Sequence, residues 1–117
     1  MVSRLLIESL FGGGNSHSVA AYPLRAVYKV CPRQQDDAPV QLLISVPKKR
    51  FHHAVDRNRV KRQVREAYRK HKQRLYESLT DEQRLLLAFV WQSDSLQPTA
   101  EVERRVKGLL QRVAEKL

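Results

Sequence analysis

The spacing of hydrophobic and polar residues along the chain predicts three or four β-strands. Residues 22–31 and 40–46 alternate between apolar and polar positions, as strands with one buried face do, and we expect them to pair antiparallel. Residues 84–92 are almost continuously apolar, which is typical of a central strand covered on both faces. Residues 18–21 could form a further short strand.

The alternation also predicts which residues of these strands face the core. They are Leu24, Ala26, Tyr28 and Val30 in the first strand and Leu42, Ile44 and Val46 in the second. The residues between them should point to the other side of the sheet, because side chains alternate along a strand.

Helical periodicity predicts three helices. Residues 3–11 place apolar side chains at helical spacing, and the glycines that follow them end a helix. A long helix is predicted to start at Asp56, as its N-cap, and to run to about residue 79. The last helix opens at Thr99 and continues to the end of the chain with one apolar face.

Together these elements predict an α+β fold. It is a two-layer sandwich in which a roughly four-stranded sheet packs against three helices, in the order α-β-β-β-α-β-α. A chain of 117 residues can bury one core but is too short to divide in two, so we expect a single domain over residues 1–117.

The composition excludes several classes of protein. Hydrophobic residues make up 42% of the chain and charged residues 29%, which is globular rather than disordered composition. No stretch approaches the roughly 20 apolar residues of a transmembrane helix, and the long apolar run of a signal peptide is missing. The single cysteine, Cys31, cannot form an intrachain disulfide. We therefore expect a cytoplasmic protein with no membrane association.

The positive charge of the chain is concentrated in one segment. The formal net charge is +10, and residues 47–74 contain twelve Lys and Arg but only two acids, Asp56 and Glu66. The basic and acidic residues outside this segment cancel. Dispersed charge would serve solubility equally well, so this concentration indicates a polyanionic partner.

Many of these basic residues lie at the start of the long predicted helix. Its first turns, where free backbone N–H groups and the helix dipole already favour anions, contain Arg57, Arg59, Lys61 and Arg62. A helix face that was merely solvated would normally interleave acids for i,i+4 pairing, yet Glu66 is the only acid over residues 57–74. We interpret this helix as a phosphate-binding surface.

Two alternative functions are compatible with a phosphate-binding helix of this kind. A metal-dependent nuclease would need convergent carboxylates or histidines, and the basic segment offers only Asp56 and Glu66. A ribosomal or DNA-binding protein without a role in cleavage could use the same basic helix, because phosphate contacts carry little information about base or sugar.

A longer motif separates these functions. Residues 57–66 read RNRVKRQVRE, and the predicted strand before them ends in SVPKK at residues 45–49. This combination is similar to the signature of the bacterial ribonuclease P protein component. The Leu-Phe-Gly sequence that ends the first predicted helix, the apolar strand from Leu85 and the amphipathic last helix follow in that family's order. The resemblance therefore covers nearly the whole chain.

The resemblance implies a function in tRNA maturation. Ribonuclease P removes the 5′ leader of precursor tRNA; its RNA subunit does the chemistry with bound Mg²⁺, and its small basic protein helps to hold RNA and leader. The implied partners are the RNA subunit and precursor tRNA, with no protein partner required. The protein alone would have no catalytic residue and would bind no cofactor or metal. Its RNA-binding domain would have the fold of ribosomal protein S5 domain 2, with a left-handed β-α-β crossover.

The resemblance also implies two sets of contacts. The residues expected to bind the RNA subunit are Arg57, Arg59, Lys61, Arg62, Arg65 and Arg69. Those expected near the leader and the metal are Phe11, Tyr22, Tyr28, Ser45, Lys48, Asn58, Lys61 and Arg65. The family's leader cleft lies between the first helix and the sheet, and its strand position could be occupied by Tyr22, Arg25 or Tyr28. Ile7 stands where the family usually has a second aromatic residue.

Overall fold

The strands form a four-stranded mixed sheet in the computed structural model, which describes residues 16–34 and 38–117. They are β1 (His17–Ala21), β2 (Leu24–Pro32), β3 (Val40–Ser45) and β4 (Gln83–Trp91), arranged in the order β1-β2-β4-β3. β1 and β2 pair antiparallel, as do β2 and β4, whereas β3 runs parallel to β4. The short first strand and the α+β class are therefore confirmed.

The predicted antiparallel pairing of the strands at 22–31 and 40–46 is wrong. β2 and β3 each pair with β4 instead, so that Val27 and Leu43 both lie opposite Ala88. β4 takes the centre because it is the most continuously apolar strand and can be covered on both faces. β3 is parallel to β4 because a helical connection, rather than a hairpin, joins the two strands.

Three helices are described: α1 (Ala54–His71), α2 (Gln73–Glu77) and α3 (Thr99–Lys116). The prediction of Asp56 as a helix N-cap is wrong, because the N-cap is His53, three residues earlier, and α1 begins at Ala54. Asp56 lies in the first turn, where its carboxylate still faces the positive end of the helix dipole. The single long helix predicted to residue 79 is divided at Lys72 into α1 and α2. The predicted helix at 3–11 lies outside the described residues.

The main core lies between one face of the sheet and the helices. Leu87, Phe89 and Trp91 of β4 are almost completely buried there, together with Val64 of α1 and Val106 of α3. Full burial of such a side chain stabilises the fold by roughly 1.5–3 kcal/mol. Of the predicted inward residues of β2, Leu24, Ala26 and Tyr28 belong to this core, whereas Val30 is 39% exposed.

A smaller cluster lies on the opposite side of the sheet, which we call the second face. It is formed by Val27, Leu86 and Ala88, with Cys31 and Leu43 packed against them. None of the helices in the described ranges is long and apolar enough to cross a bilayer. The hand of the β3–α1–α2–β4 crossover and the extent of the domain stay predictions.

Candidate nucleic-acid interface

The helix α1 separates a buried face from a basic one. Val60 and Val64 are fully buried, and Ala67 and Tyr68 continue the same face. Residues that lie on the other side of the helix, at about 100° per residue, are exposed: Asn58, Arg62, Arg65 and Arg69. The packing of α1 on the sheet and on α3 thus holds a stripe of positive charge toward solvent.

Three arginines on or beside this exposed face of α1 form no bond to another described residue. Within the described part of the chain, the side chains of Arg59, Arg62 and Arg65 form no hydrogen bond or ion pair. Their charges are therefore uncompensated along two turns of one helix, and like charges at i,i+3 or i,i+4 repel each other. A polyanion bound to this surface would relieve that repulsion.

Arg69 differs from these three because it is already paired. Its Nη2 lies 2.5 Å from Oε1 of Glu66, and its Nε donates to the other carboxylate oxygen over 3.1 Å. The hydrogen bond from Arg69 lowers the pKa of Glu66, and the same bond raises the pKa of Arg69. A phosphate contact by Arg69 would have to compete with or share this bidentate pair.

Arg57 anchors the turn that leads into α1. Its Nη1 donates to the carbonyl oxygens of Phe51, over 2.7 Å, and of His52, over 3.1 Å. Phe51 is itself buried in the core, so the guanidinium connects the helix start to a fixed point. Arg57 therefore has a structural role that the sequence did not indicate, and its remaining N–H groups are available to a ligand.

The strand residues predicted for the leader cleft do not share one surface. Tyr28 faces the main core, is only 3% exposed and lies against the ring of His17 at a centroid distance of 5.5 Å. Burial raises the pKa of its hydroxyl. Ser45 lies between the core residues Ile44 and Val46 and so points to the second face. A single base cannot stack on Tyr28 and contact Ser45 from the same side of the sheet.

Arg25 is the strand residue that shares the second face with Ser45. Both are registered with Val90 of β4, on either side of it. Arg25 is exposed, and its Nη2 donates to Oγ of Ser18 over 3.3 Å. Tyr22, the third alternative, is 65% exposed in the turn between β1 and β2. Of the three alternatives, Arg25 therefore fits a surface that includes Ser45.

The remaining predicted residues lie where β3 leads into α1. Lys48 is exposed in the turn after β3, in which the amide of Arg50 donates to the carbonyl of Pro47 over 3.0 Å. Asn58 is exposed and Lys61 half-buried on the first turns of α1. Phe11 lies outside the described residues. Contact of any of these residues with RNA, leader or metal stays a prediction.

Comparison with known protein families gives a match to the family described as Ribonuclease P, over residues 4–114. The chain belongs to the ribonuclease P protein family. This confirms the family indicated by the motifs at residues 45–49 and 57–66.

Relatives and solved structures agree with this family. A ribonuclease P protein component from Porphyromonas gingivalis is 44% identical over 109 residues, which cover 92% of this chain and 77% of that protein. One from Chlorobium phaeobacteroides is 43% identical over 79 residues, 68% of this chain and 53% of that protein. The fold is similar to that of a Staphylococcus aureus RNase P protein mutant, with a TM-score of 0.71, 19% identity and coverage of 97% and 86% of the two chains. The RNase P protein of Thermotoga maritima gives a TM-score of 0.66 at 19% identity, with 91% and 89% coverage.

This member of the ribonuclease P protein family offers no metal-binding cluster in residues 16–34 and 38–117. No three His, Cys, Asp or Glu side chains come together there as a metal ion would require. Among the described residues, His71 is the histidine that contacts a carboxylate, and its Nε2 lies 3.3 Å from Glu103. Lys70 reaches the other oxygen of Glu103 over 3.5 Å, so this group joins α1 to α3 by charge.

One buried polar contact between α1 and α3 gives no signal in the sequence. Gln63 is buried on α1, where its Nε2 donates to the carbonyl of Gln97 and to Oγ1 of Thr99, which fixes the start of α3. A polar residue gives no signal of burial in a hydrophobic pattern, so this contact could not be predicted. On α3, the i,i+4 spacing of Glu101 and Arg105 predicts their ion pair, and Arg104 binds the same carboxylate at i,i+3.

Proposed function

We propose that this member of the ribonuclease P protein family acts in tRNA 5′ maturation by binding the ribonuclease P RNA subunit and the leader of precursor tRNA. The observation that carries the proposal is the group Arg59, Arg62 and Arg65, which is exposed on α1 and has no partner in the described chain. Guanidinium groups suit phosphate because they can donate two parallel hydrogen bonds. The outer face of α1 is therefore the proposed contact with the RNA subunit.

Three other basic residues would support this contact in different ways. Arg57 would hold the helix start through its bonds to Phe51 and His52 while offering its free N–H groups to a phosphate. Arg69 would contribute at the far end of the stripe, where Glu66 already orients it. Lys61, which is half-buried, would lie at the border of the surface together with Asn58.

The leader is proposed to run along the second face of the sheet, toward the turn that contains Lys48. Arg25 and Ser45 share that face on either side of Val90, so a strand of RNA could contact both. Arg25 would bind phosphate and the hydroxyl of Ser45 would donate to a phosphate or base oxygen. Phe11 is proposed as the stacking residue, because the resemblance assigns an aromatic residue there to the leader. Tyr28 has no place in this proposal, since it faces the core.

The chemistry is proposed to belong to the RNA subunit, with Mg²⁺ held by RNA rather than by protein. The protein would then contribute positive charge and position, and act in the cytoplasm without a further protein partner. Added positive charge matters most when few metal ions are available to offset repulsion between RNA segments. The protein should therefore stimulate cleavage most strongly at low magnesium concentration.

Reconstitution tests the proposal. The assay combines the purified protein, the RNA subunit transcribed in vitro from the same genome, and a precursor tRNA. The protein and the RNA subunit are also each assayed alone with the precursor tRNA. We expect cleavage by the RNA subunit at high magnesium, cleavage at low magnesium only with the protein, and none by the protein alone. Metal-dependent cleavage by RNA-free protein, or no effect of the protein on the RNA subunit, would contradict it.

A further inference from the structure

A groove on the outer side of α3 carries positive charge that the proposed contacts on α1 do not use. It lies between the end of β1 and α3, is lined by Ala21 and by residues of α3 between Arg104 and Arg112, and has a volume of about 360 Å³. α1 and α3 meet through Glu103, which contacts Lys70 and His71. The groove and the basic face of α1 therefore lie on different sides of that contact.

The arginines of the groove are held in place by internal bonds. Arg104 and Arg105 both donate to Oε1 of Glu101, over 2.7 and 3.0 Å. These bonds, that of Arg104 first, lower the pKa of Glu101, so this acid stays charged and keeps both guanidinium groups in position. Arg112 donates from Nη1 to the carbonyl oxygen of Ala20 over 2.6 Å. Each guanidinium has five N–H donors, so all three keep donors free for a ligand.

Gly108 forms part of the groove surface near the middle of α3. Glycine disfavours a helix interior relative to alanine, and a side chain here would cost nothing in packing, since a Cβ built on Gly108 would meet no atom within 4 Å. No contact inside the described protein explains the glycine. The missing side chain does allow another backbone to approach the helix closely, which is a common use of glycine at ligand sites.

We propose that this groove binds a sugar-phosphate backbone segment of RNA, distinct from the segment bound by α1. Four basic side chains line it, and its neighbouring acid, Glu101, is already bonded to two of them. Charge complementarity therefore selects a polyanion, and Gly108 lets its backbone lie close to the helix between Lys107 and Arg112. The inference rests on the proposed RNA-binding function, and it gives the protein two surfaces with which to fix two RNA segments relative to each other.

Variants at Lys107 and Gly108 test this groove, with the RNA subunit and precursor tRNA as separate probes. We expect Lys107→Gln to weaken binding of one of them and to lower the log–log salt slope by about 0.7–0.9, the value for one lost phosphate contact. Gly108→Glu should weaken the same binding further, because it fills the surface and adds negative charge. Lys116→Gln, which removes the same charge from the same helix outside the groove, is the matched control.

The stability of the variants separates a lost contact from a lost fold. Gly108→Ala should raise the thermal midpoint, since alanine favours the helix and meets no obstacle, and should nevertheless weaken RNA binding. If wild-type protein binds neither RNA, the proposed function fails and this inference fails with it. A different outcome overturns only this inference. In that outcome the wild-type protein binds RNA and substitution of Arg59, Arg62 and Arg65 weakens the binding, but the groove variants bind both probes as tightly as the Lys116→Gln control.

Discussion

Replacing Arg59, Arg62 and Arg65 with alanine should weaken binding of the RNA subunit without unfolding the protein. These side chains form no internal hydrogen bond or ion pair with the described residues, so the folded state loses no such interaction when they are removed. Alanine has the highest helix propensity, and the repulsion between neighbouring guanidinium groups disappears. The thermal midpoint of the triple variant should therefore equal or exceed that of the wild type.

The size of the binding effect follows from counterion release. Each phosphate contact contributes about 0.7–0.9 to the slope of log affinity against log salt concentration, so three lost contacts should lower it by roughly 2–3. Filter binding of the RNA subunit over a range of salt concentrations measures this slope. The control variant combines Arg74→Ala and Lys116→Ala, which remove exposed positive charge outside α1. Equal slopes in the triple variant and the wild type would show that this face of α1 is not the RNA contact.

Three further predictions follow from individual contacts. Arg57→Ala should lower the free energy of unfolding by about 1.5–3 kcal/mol in chemical denaturation, because the charged donor to two carbonyls is lost; an unchanged value would mean that water replaces it. The hydrogen bond from His71 lowers the pKa of Glu103 below its ordinary value of 4.5. This contact therefore stabilises the protein above pH 4.5 and is lost as the pH falls through the pKa of Glu103 in the folded protein. Glu103→Gln should reduce the acid-induced fall in thermal midpoint, and a pH dependence identical to that of the wild type would contradict this. Arg25→Ala should weaken the binding of precursor tRNA more than that of mature tRNA, whereas Tyr28→Phe should change neither affinity. Loss of precursor tRNA binding in Tyr28→Phe but not in Arg25→Ala would place the leader on the face of the sheet that contains Tyr28.

Local patterns along the chain predicted where the strands lie but not which strands are neighbours. The alternation over residues 22–31 describes how each side chain meets one buried face, and any strand with a complementary edge could pair with it. Val27 and Leu43 both lie opposite Ala88, which depends on contacts between segments more than 40 residues apart in sequence. The central place of β4 could have been inferred from its continuous apolar run, since a strand buried on both faces needs a neighbour on each side.

The start of α1 could be predicted only to within a few residues. Asp56 is a favourable N-cap residue, but it is also favourable in the first turn, where its charge interacts with the helix dipole. Nothing in Ala54 or Val55 prevents those two residues from joining the helix. The position is decided by tertiary contacts, in which buried Phe51 fixes the preceding turn and Arg57 bonds back to it.

For the leader cleft, the side of the sheet on which each strand residue lies decides which of the residues implied by the resemblance can act together. Alternation already predicted that Tyr28 faces inward with Ala26, and that Ser45 lies between two inward residues and so faces outward. The resemblance nevertheless allowed Tyr28 and Ser45 in one cleft, because a family motif gives residue types along the chain and carries no information about faces. The register removes this conflict, since Val90 lies between Arg25 and Ser45 on the second face. An RNA strand that reaches Ser45 from that face can therefore contact Arg25, and it cannot stack on the ring of Tyr28 unless the sheet itself is opened.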